Sequence, residues 1–159
     1  MRIVVAAVGR LKAAERELAE RYRDRAVKTG RALGFRDIEV IEVRDSRARE
    51  RERRILEESI ALASIIPDGA VIAILDGHGD NVSSEAFAGR LRAWNDAGRA
   101  GVFFAIGGAD GLGEVLHERA DLSLAFGTAT WPHQLVRIML LEQIYRAFTI
   151  LSGHPYHRE

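Results

Sequence analysis

The groups of this chain that could do chemistry crowd into its last third. Trp131-Pro132-His133-Gln134-Leu135-Val136-Arg137 comes first, then Glu142-Gln143 and Tyr145-Arg146, then the closing His154-Pro155-Tyr156-His157-Arg158-Glu159. Histidine titrates near neutrality, arginine offers a planar fork to carboxylate or phosphate, and a tyrosine ring stacks on a base. Tyr156, His157 and Arg158 in succession therefore form a set suited to handling RNA, where final residues more commonly fray. Glu142 and Arg146 stand four apart on an otherwise apolar stretch, so a buried or interfacial pair is expected in place of a solvated one.

Three glycine-bearing segments are the second source of candidates: Asp76 to Asn81, Gly107 to Gly111, and Gly127 to Pro132. Each follows an apolar run that reads as a strand, and ligands of open parallel sheets bind beyond the carboxyl ends of strands. No G-x-G-x-x-G follows the first strand and no G-x-x-x-x-G-K-[ST] occurs, which removes the dinucleotide and P-loop sites but leaves a nucleoside-type cofactor open. There is no cysteine and no G-x-S-x-G elbow, so thiol and serine-hydrolase chemistry have no basis. Among the five histidines, His154-x-x-His157 spans a proline, and no metal site is expected. His117, amid Glu114, Glu118 and Arg119, reads as solvated surface.

These loops need strands and helices to position them. Ile3 to Val8 ends at Gly9 and reads as a buried strand, with Leu18, Tyr22 and Ala26 at helical spacing behind it up to Gly30. Ile38 to Val43 predicts a second strand, and Ile55, Leu56, Ser59, Ile60, Ala63 and Ile66 a second helix. Ala70 to Leu75, Val102 to Ile106 and Leu122 to Phe126 complete five strands, separated by a helix carrying Phe87, Leu91 and Trp94 and a short one near Glu114 to Ala120. Strand and helix alternate five times, which predicts an α/β fold, a single domain over residues 1–159, with a mainly parallel sheet and helices on both faces. Pro132 suits a helix start and Gly153 its stop. The helix between them is apolar in nearly every direction, so more than one surface must cover it. A chain this small predicts that a second copy does so, giving a homodimer through the C-terminal helix.

Lys plus Arg and Asp plus Glu are both 23, so the chain as a whole does not attract nucleic acid and any RNA site must be local. The only local basic concentration is Arg44 to Arg54. No segment approaches the apolar length of a membrane span, and the N-terminal apolar run is too short for a signal peptide, so the expected location is the cytoplasm with no membrane partner.

Ile106-Gly107-Gly108-Ala109-Asp110-Gly111, the Trp131 to Arg137 run, Glu142-Gln143-Ile144-Tyr145-Arg146-Ala147 and the terminal His154 to Glu159 closely resemble the RlmH family. Its members are SPOUT-class methyltransferases that modify N3 of a pseudouridine in large-subunit (23S) ribosomal RNA. The resemblance spans the whole chain. It implies an α/β fold with a C-terminal trefoil knot, a homodimer, S-adenosyl-L-methionine as cofactor and ribosomal RNA, in the large subunit or the assembled ribosome, as partner. By position, it implies that Leu75 and Asp76 flank the cofactor, that Gly107 and Gly108 approach it through backbone, and that Gly127, Thr128, Ala129, Thr130, Trp131 and Pro132 wrap it. His133, Arg137, Tyr156, His157 and Arg158 would face the RNA as catalytic residues, with His133 or a partner's His157 assisting removal of the N3 proton. The chain departs from the family's usual proline at Ala109 and its frequent lysine at Asp80. The alternatives are a SPOUT enzyme acting on another RNA base and a non-catalytic ribosome-binding protein that keeps the fold.

Overall fold

A computed structural model describes residues 1–158, with side chains through Tyr156. Five strands, β1 (Arg2–Val8), β2 (Asp37–Val43), β3 (Val71–Asn81), β4 (Gly101–Ile106) and β5 (Leu122–Ala125), form one parallel sheet in the order β2-β1-β4-β3-β5. The helices are α1 (Ala13–Gly30), α2 (Arg51–Ala63), α3 (Ser84–Asp96), α4 (Glu114–His117) and α5 (His133–Ser152). Short 3-10 turns follow α1 at Arg31–Leu33 and close the chain at Pro155–Arg158. No helix among the described residues is long and apolar enough to cross a membrane.

Strand alternation splits the core in two. Ile3, Val5 and Ala7 of β1 join Phe87, Leu91, Leu140, Leu141, Ile144 and Phe148 under α1, α3 and α5, while Val4, Ala6 and Val8 join Leu62 and Leu116 under α2 and α4. Both faces of the sheet are thus covered, which explains why the strands read as unbroken apolar runs. The burial faces of two helices differ from the sequence expectation. Leu18 is among the exposed large hydrophobics and Ala19 and Ala26 carry the buried face of α1; Leu56 and Ile60 of α2 are likewise exposed, and Glu58, Ser59 and Leu62 face inward.

The first glycine segment also differs from its expected form. Asp76 to Asn81 is not a loop but the continuation of β3, which pairs with β5 at Leu75↔Leu124, shifts register, and resumes at Asp80↔Leu124 and Asn81↔Ala125. A Cβ on Gly79 would lie 2.7 Å from the Ser123 carbonyl carbon, so the backbones touch there. Gly79 is where this bulge needs the missing side chain.

α5 lies on α1 and α3 and ends at Gly153 in the left-handed region, φ 71°, as the sequence predicts. Its buried residues include Leu140, Leu141, Ile144, Ala147 and Phe148; Met139 and Tyr145 are half-buried, and Leu135 is 41% exposed.

Candidate active site

The carboxyl ends of β3, β4 and β5 open into one cleft of about 590 Å³, within the range of small-molecule sites. Its walls bring together residues from all three glycine segments: Leu75 and Asp76, Gly107 and Gly108, and Gly127, Thr128, Ala129, Thr130 and Trp131. His133 and Val136 of α5 close one side; Pro132 is next in chain but does not line it. Leu75, Ile106, Leu124 and Val136 provide an apolar floor suited to a flat heteroaromatic ring.

The second segment is braced. Asp110 accepts from Arg54 Nε at 2.8 Å and meets Arg51 Nε at 3.4 Å. Bonding to Arg54 first, and the charges of Arg54 and Arg51, hold the Asp110 carboxyl below its ordinary pKa. The N–H of Gly113 donates to Ser59 Oγ at 2.7 Å, and Gly108 and Gly111 bridge each other. A Cβ on Gly107 would stand 2.5 Å from the Gly111 carbonyl oxygen, and one on Gly108 2.8 Å from Glu58 Oε2. Burial raises the Glu58 pKa, opposed by the Ser46 N–H that it accepts at 2.9 Å.

The third segment is tied only at its ends. Asn81 Oδ1 accepts the Gly127 N–H at 2.7 Å, and Trp131 Nε1 donates to the Phe126 carbonyl at 2.9 Å. Among the described residues the amides of Thr128, Ala129, Thr130 and Trp131 donate to no protein acceptor. A row of free donors on a cleft wall is what a polar ligand with acceptor atoms would satisfy.

Three histidines bear on the cleft. His133 is half-buried, and its pKa is lowered chiefly by that burial and by the Arg137 guanidinium, against the Asp45 carboxylate. A Cβ on Gly9 would lie 3.3 Å from Asp45 Oδ1 and 3.5 Å from His133 Nε2, so both side chains crowd the turn after β1. His117 is exposed, as expected, and also reaches Asp76 Oδ2 at 3.2 Å, while His78 Nδ1 stands 3.3 Å from Asp76 Oδ1. No group of three or more His, Cys, Asp or Glu among the described residues is placed to hold a metal.

Arg137 is not where the resemblance implies. It is 1% exposed, donating to Glu42 Oε1 at 2.9 Å and to the carbonyls of Val8 and Gly9 at 3.2 and 2.9 Å. In this chain the guanidinium secures the end of β1 and is not open to RNA. Tyr156 also turns inward. Its hydroxyl bonds Glu142 Oε1 at 3.2 Å, its ring lies 4.6 Å from that of Tyr145 and 5.0 Å from the Arg146 guanidinium carbon, and Arg146 pairs with the same Glu142 oxygen at 2.8 Å. Burial first, then the Glu142 charge, raises the Tyr156 pKa, so the hydroxyl stays protonated. The side chains of His157 and Arg158 lie outside the described residues.

Sequence reasoning missed Asp45, Ser59 and His117 as supports of the cleft, and held Arg54 only as part of a basic stretch and Asn81 only as the end of a glycine segment. Of the first three, Ser59 left a signal, standing as a polar residue in the apolar row of its helix.

An α/β sheet with a backbone-lined cleft at the ends of neighbouring strands has the architecture of a small-molecule-binding protein. The family model described as predicted SPOUT methyltransferase matches residues 1–157, and the chain belongs to that family. The chain is 58% identical over 159 residues to a protein of Rhodopseudomonas palustris (strain BisB18) and 57% identical over 159 residues to one of Nitrobacter hamburgensis, with 99% of each chain covered in both cases. Both are named ribosomal RNA large subunit methyltransferase H. A solved probable methylase family protein from Haemophilus influenzae shares the fold, with a TM-score of 0.52 at 10% identity over 98% of this chain and 69% of that one.

Proposed function

We propose that this chain transfers a methyl group from S-adenosyl-L-methionine to N3 of a pseudouridine in large-subunit ribosomal RNA, in the cytoplasm and on the large subunit or assembled ribosome. The observation that carries the reading is full-length identity above half to relatives named for large-subunit ribosomal RNA methylation. The cleft supports it, because its contents fit the cofactor. An apolar floor suits the adenine, the unpaired amides of Thr128 to Trp131 suit hydroxyl and carboxylate oxygens, and Asp76 offers a carboxylate to a ribose hydroxyl or an ammonium. Leu75, Asp76, Gly107, Gly108 and the Gly127 to Trp131 segment are the residues that would hold it, with the chain threaded there as the expected trefoil knot.

Bound there, the cofactor supplies a methyl group on a sulfonium, ready for in-line displacement. The protein's own work is placement and proton handling. His133 lines the cleft and is neutral near pH 7 because its pKa is lowered, so it can accept the N3 proton as the nitrogen lone pair is committed to the new bond. Asp45, in the loop after β2, packs against the same Gly9 turn as His133 and favours the imidazolium that results. Arg137 acts at one remove by fixing the Val8–Gly9 turn against which His133 packs.

A homodimer through α5 completes the reading. Trp131 and Leu135, 44% and 41% exposed, flank the cleft's α5 side and would be covered by a second copy. The tail from Tyr156 would then serve a site with His157 and Arg158. The test is mass spectrometry of ribosomal RNA nucleosides after incubation with labelled cofactor. Methylated pseudouridine is the expected product; label on another base or none sinks the proposal, and the no-label case with intact RNA binding would favour a non-catalytic ribosome-binding role.

A further inference from the structure

Of the arginine-rich stretch noted in the sequence, Arg51 and Arg54 brace the cleft wall through Asp110, while the arginines ahead of α2 are absorbed by neither cleft nor core. The structure turns it into a braced loop between β2 and α2. Glu58 Oε1 accepts the Ser46 N–H at 2.9 Å and Glu57 Oε2 accepts the Ser46 hydroxyl at 2.6 Å. Arg54 Nη1 donates to the carbonyls of Ala48 and Arg49 at 3.2 and 2.8 Å. The arginines of α2 are thus committed, Arg51 and Arg54 to Asp110 and Arg53 to Glu57.

Those of the loop are not. Arg44, Arg47 and Arg49 are exposed, and among the described residues none meets a carboxylate. The neighbouring turn, joined through the 2.8 Å bond from Gly9 N–H to the Val43 carbonyl, adds Arg10 and Lys12, exposed and equally without an acidic partner. Five free cations share one lip of a chain whose formal net charge is zero. The lip adjoins the cleft, because Asp45 of the same loop crowds Gly9 with His133 and the helix that braces the loop also holds Asp110.

We propose that this lip is an RNA-docking surface whose cations contact phosphates flanking the nucleotide that enters the cleft. This rests on the ribosomal RNA reading above. The loop from residue 44 to 50 holds no large apolar side chain, and a protein interface builds on such anchors whereas a phosphate backbone needs only charge and donors. Bracing matters too, since a fixed loop loses less entropy when its arginines engage.

The test is the triple variant Arg44→Gln/Arg47→Gln/Arg49→Gln. Arg25→Gln/Arg31→Gln/Arg36→Gln, exposed positions toward the opposite end of the sheet, serves as control. The first measurement is the salt dependence of binding to a fluorescein-labelled single-stranded RNA oligonucleotide. Removing three phosphate contacts lowers the log–log slope by roughly 2, at about 0.7 per contact. The second measurement is methylation of large ribosomal subunits, where KM rises on the order of tenfold or more while kcat and cofactor affinity hold. Single variants at 44, 47 and 49, each lowering the slope by about 0.7, stand in should the triple variant misfold. A wild-type slope and KM in the loop variant, or an equal loss in the control, overturns the proposal and leaves an acidic protein as the lip's partner. If the slope falls while the wild type methylates no ribosomal RNA, the docking surface stands and the functional reading falls. If the loop variant methylates ribosomes with wild-type KM, the reverse holds.

Discussion

The two glycine segments that face each other across the cleft are built in opposite ways. Gly107 to Gly111 is held by two arginines on Asp110, a bridge between Gly108 and Gly111, and the Gly113 to Ser59 bond that follows. Gly127 to Trp131 hangs between one bond at each end and keeps its middle amides unpaired. One wall is preorganised and the other is free to adapt, which suits a site that must fix a small ligand and still admit an RNA base. Rigid placement lowers the entropy lost on binding, and free donors provide the contacts made on binding.

That contrast breaks most sharply at the glycines. Gly107→Ala forces a Cβ to within 2.5 Å of the Gly111 carbonyl oxygen on a wall that cannot give, and such overpacking costs about 1–3 kcal/mol. Cofactor affinity measured by calorimetry should fall at least about tenfold. Gly127→Ala meets no atom within 4 Å and carries only the strain of φ 86°, roughly 1 kcal/mol. If Gly127→Ala proves the more damaging, the assignment of rigid and adaptable walls is reversed.

Acid should separate the walls as well. His133 follows the loose segment and has its pKa lowered below 6.5, so it is neutral at neutral pH. Its neutral form is the one the fold favours, so its contribution to stability is full above 6.5 and is lost as pH falls through the lower folded value. kcat/KM should drop about tenfold per unit once pH passes below that folded value. Asp110 behaves oppositely in range. Its pKa is depressed below 3.8, so the brace persists through mild acid and is lost only as pH falls through that lower value. As pH falls, cofactor binding should therefore outlast methyl transfer. Parallel loss of both would show that His133 is not the group that titrates.

Releasing the brace itself has a smaller effect. Asp110→Asn keeps shape but gives up the charge that Arg51 and Arg54 share, and cofactor affinity should fall by up to about tenfold with kcat little changed. A kcat loss without an affinity loss would place the brace's role in the RNA step.

How much of this could be read from the sequence depends on how far apart in the chain its causes lie. The five strands, the Pro132 and Gly153 limits of α5 and the convergence of the glycine segments were legible, because apolar runs and glycines are local signals. The continuation of β3 through Asp76-Gly77-His78-Gly79-Asp80-Asn81 was not. Those residue types spell a turn, and only β5, more than 40 residues on, makes them a strand after the shift of register. Arg137 misled for the same reason. Its partners Glu42, Val8 and Gly9 lie 95, 129 and 128 residues away, so nothing local to Arg137 opposed the RNA-facing position that the resemblance implies. His117 is exposed as its charged neighbours suggest, but its contact with Asp76 was not legible because the fold brings the two together.

The mildest change asks whether the loose wall is loose by design or merely underpacked. Trp131→Phe removes the Nε1–H that reaches the Phe126 carbonyl at 2.9 Å while keeping an aromatic body, on a side chain that is 44% exposed. Losing one such neutral bond costs about 1 kcal/mol, and exposure lets water take up the carbonyl, so cofactor affinity should weaken only a few fold. The wall already adapts, so one fewer tie leaves its bound geometry within reach and adds only the entropy of a slightly longer free loop. A loss as large as that of Asp110→Asn would mean that the segment from Gly127 to Trp131 is preorganised after all, with the tryptophan as its brace, and the two walls would then differ only in the chemistry of their ties.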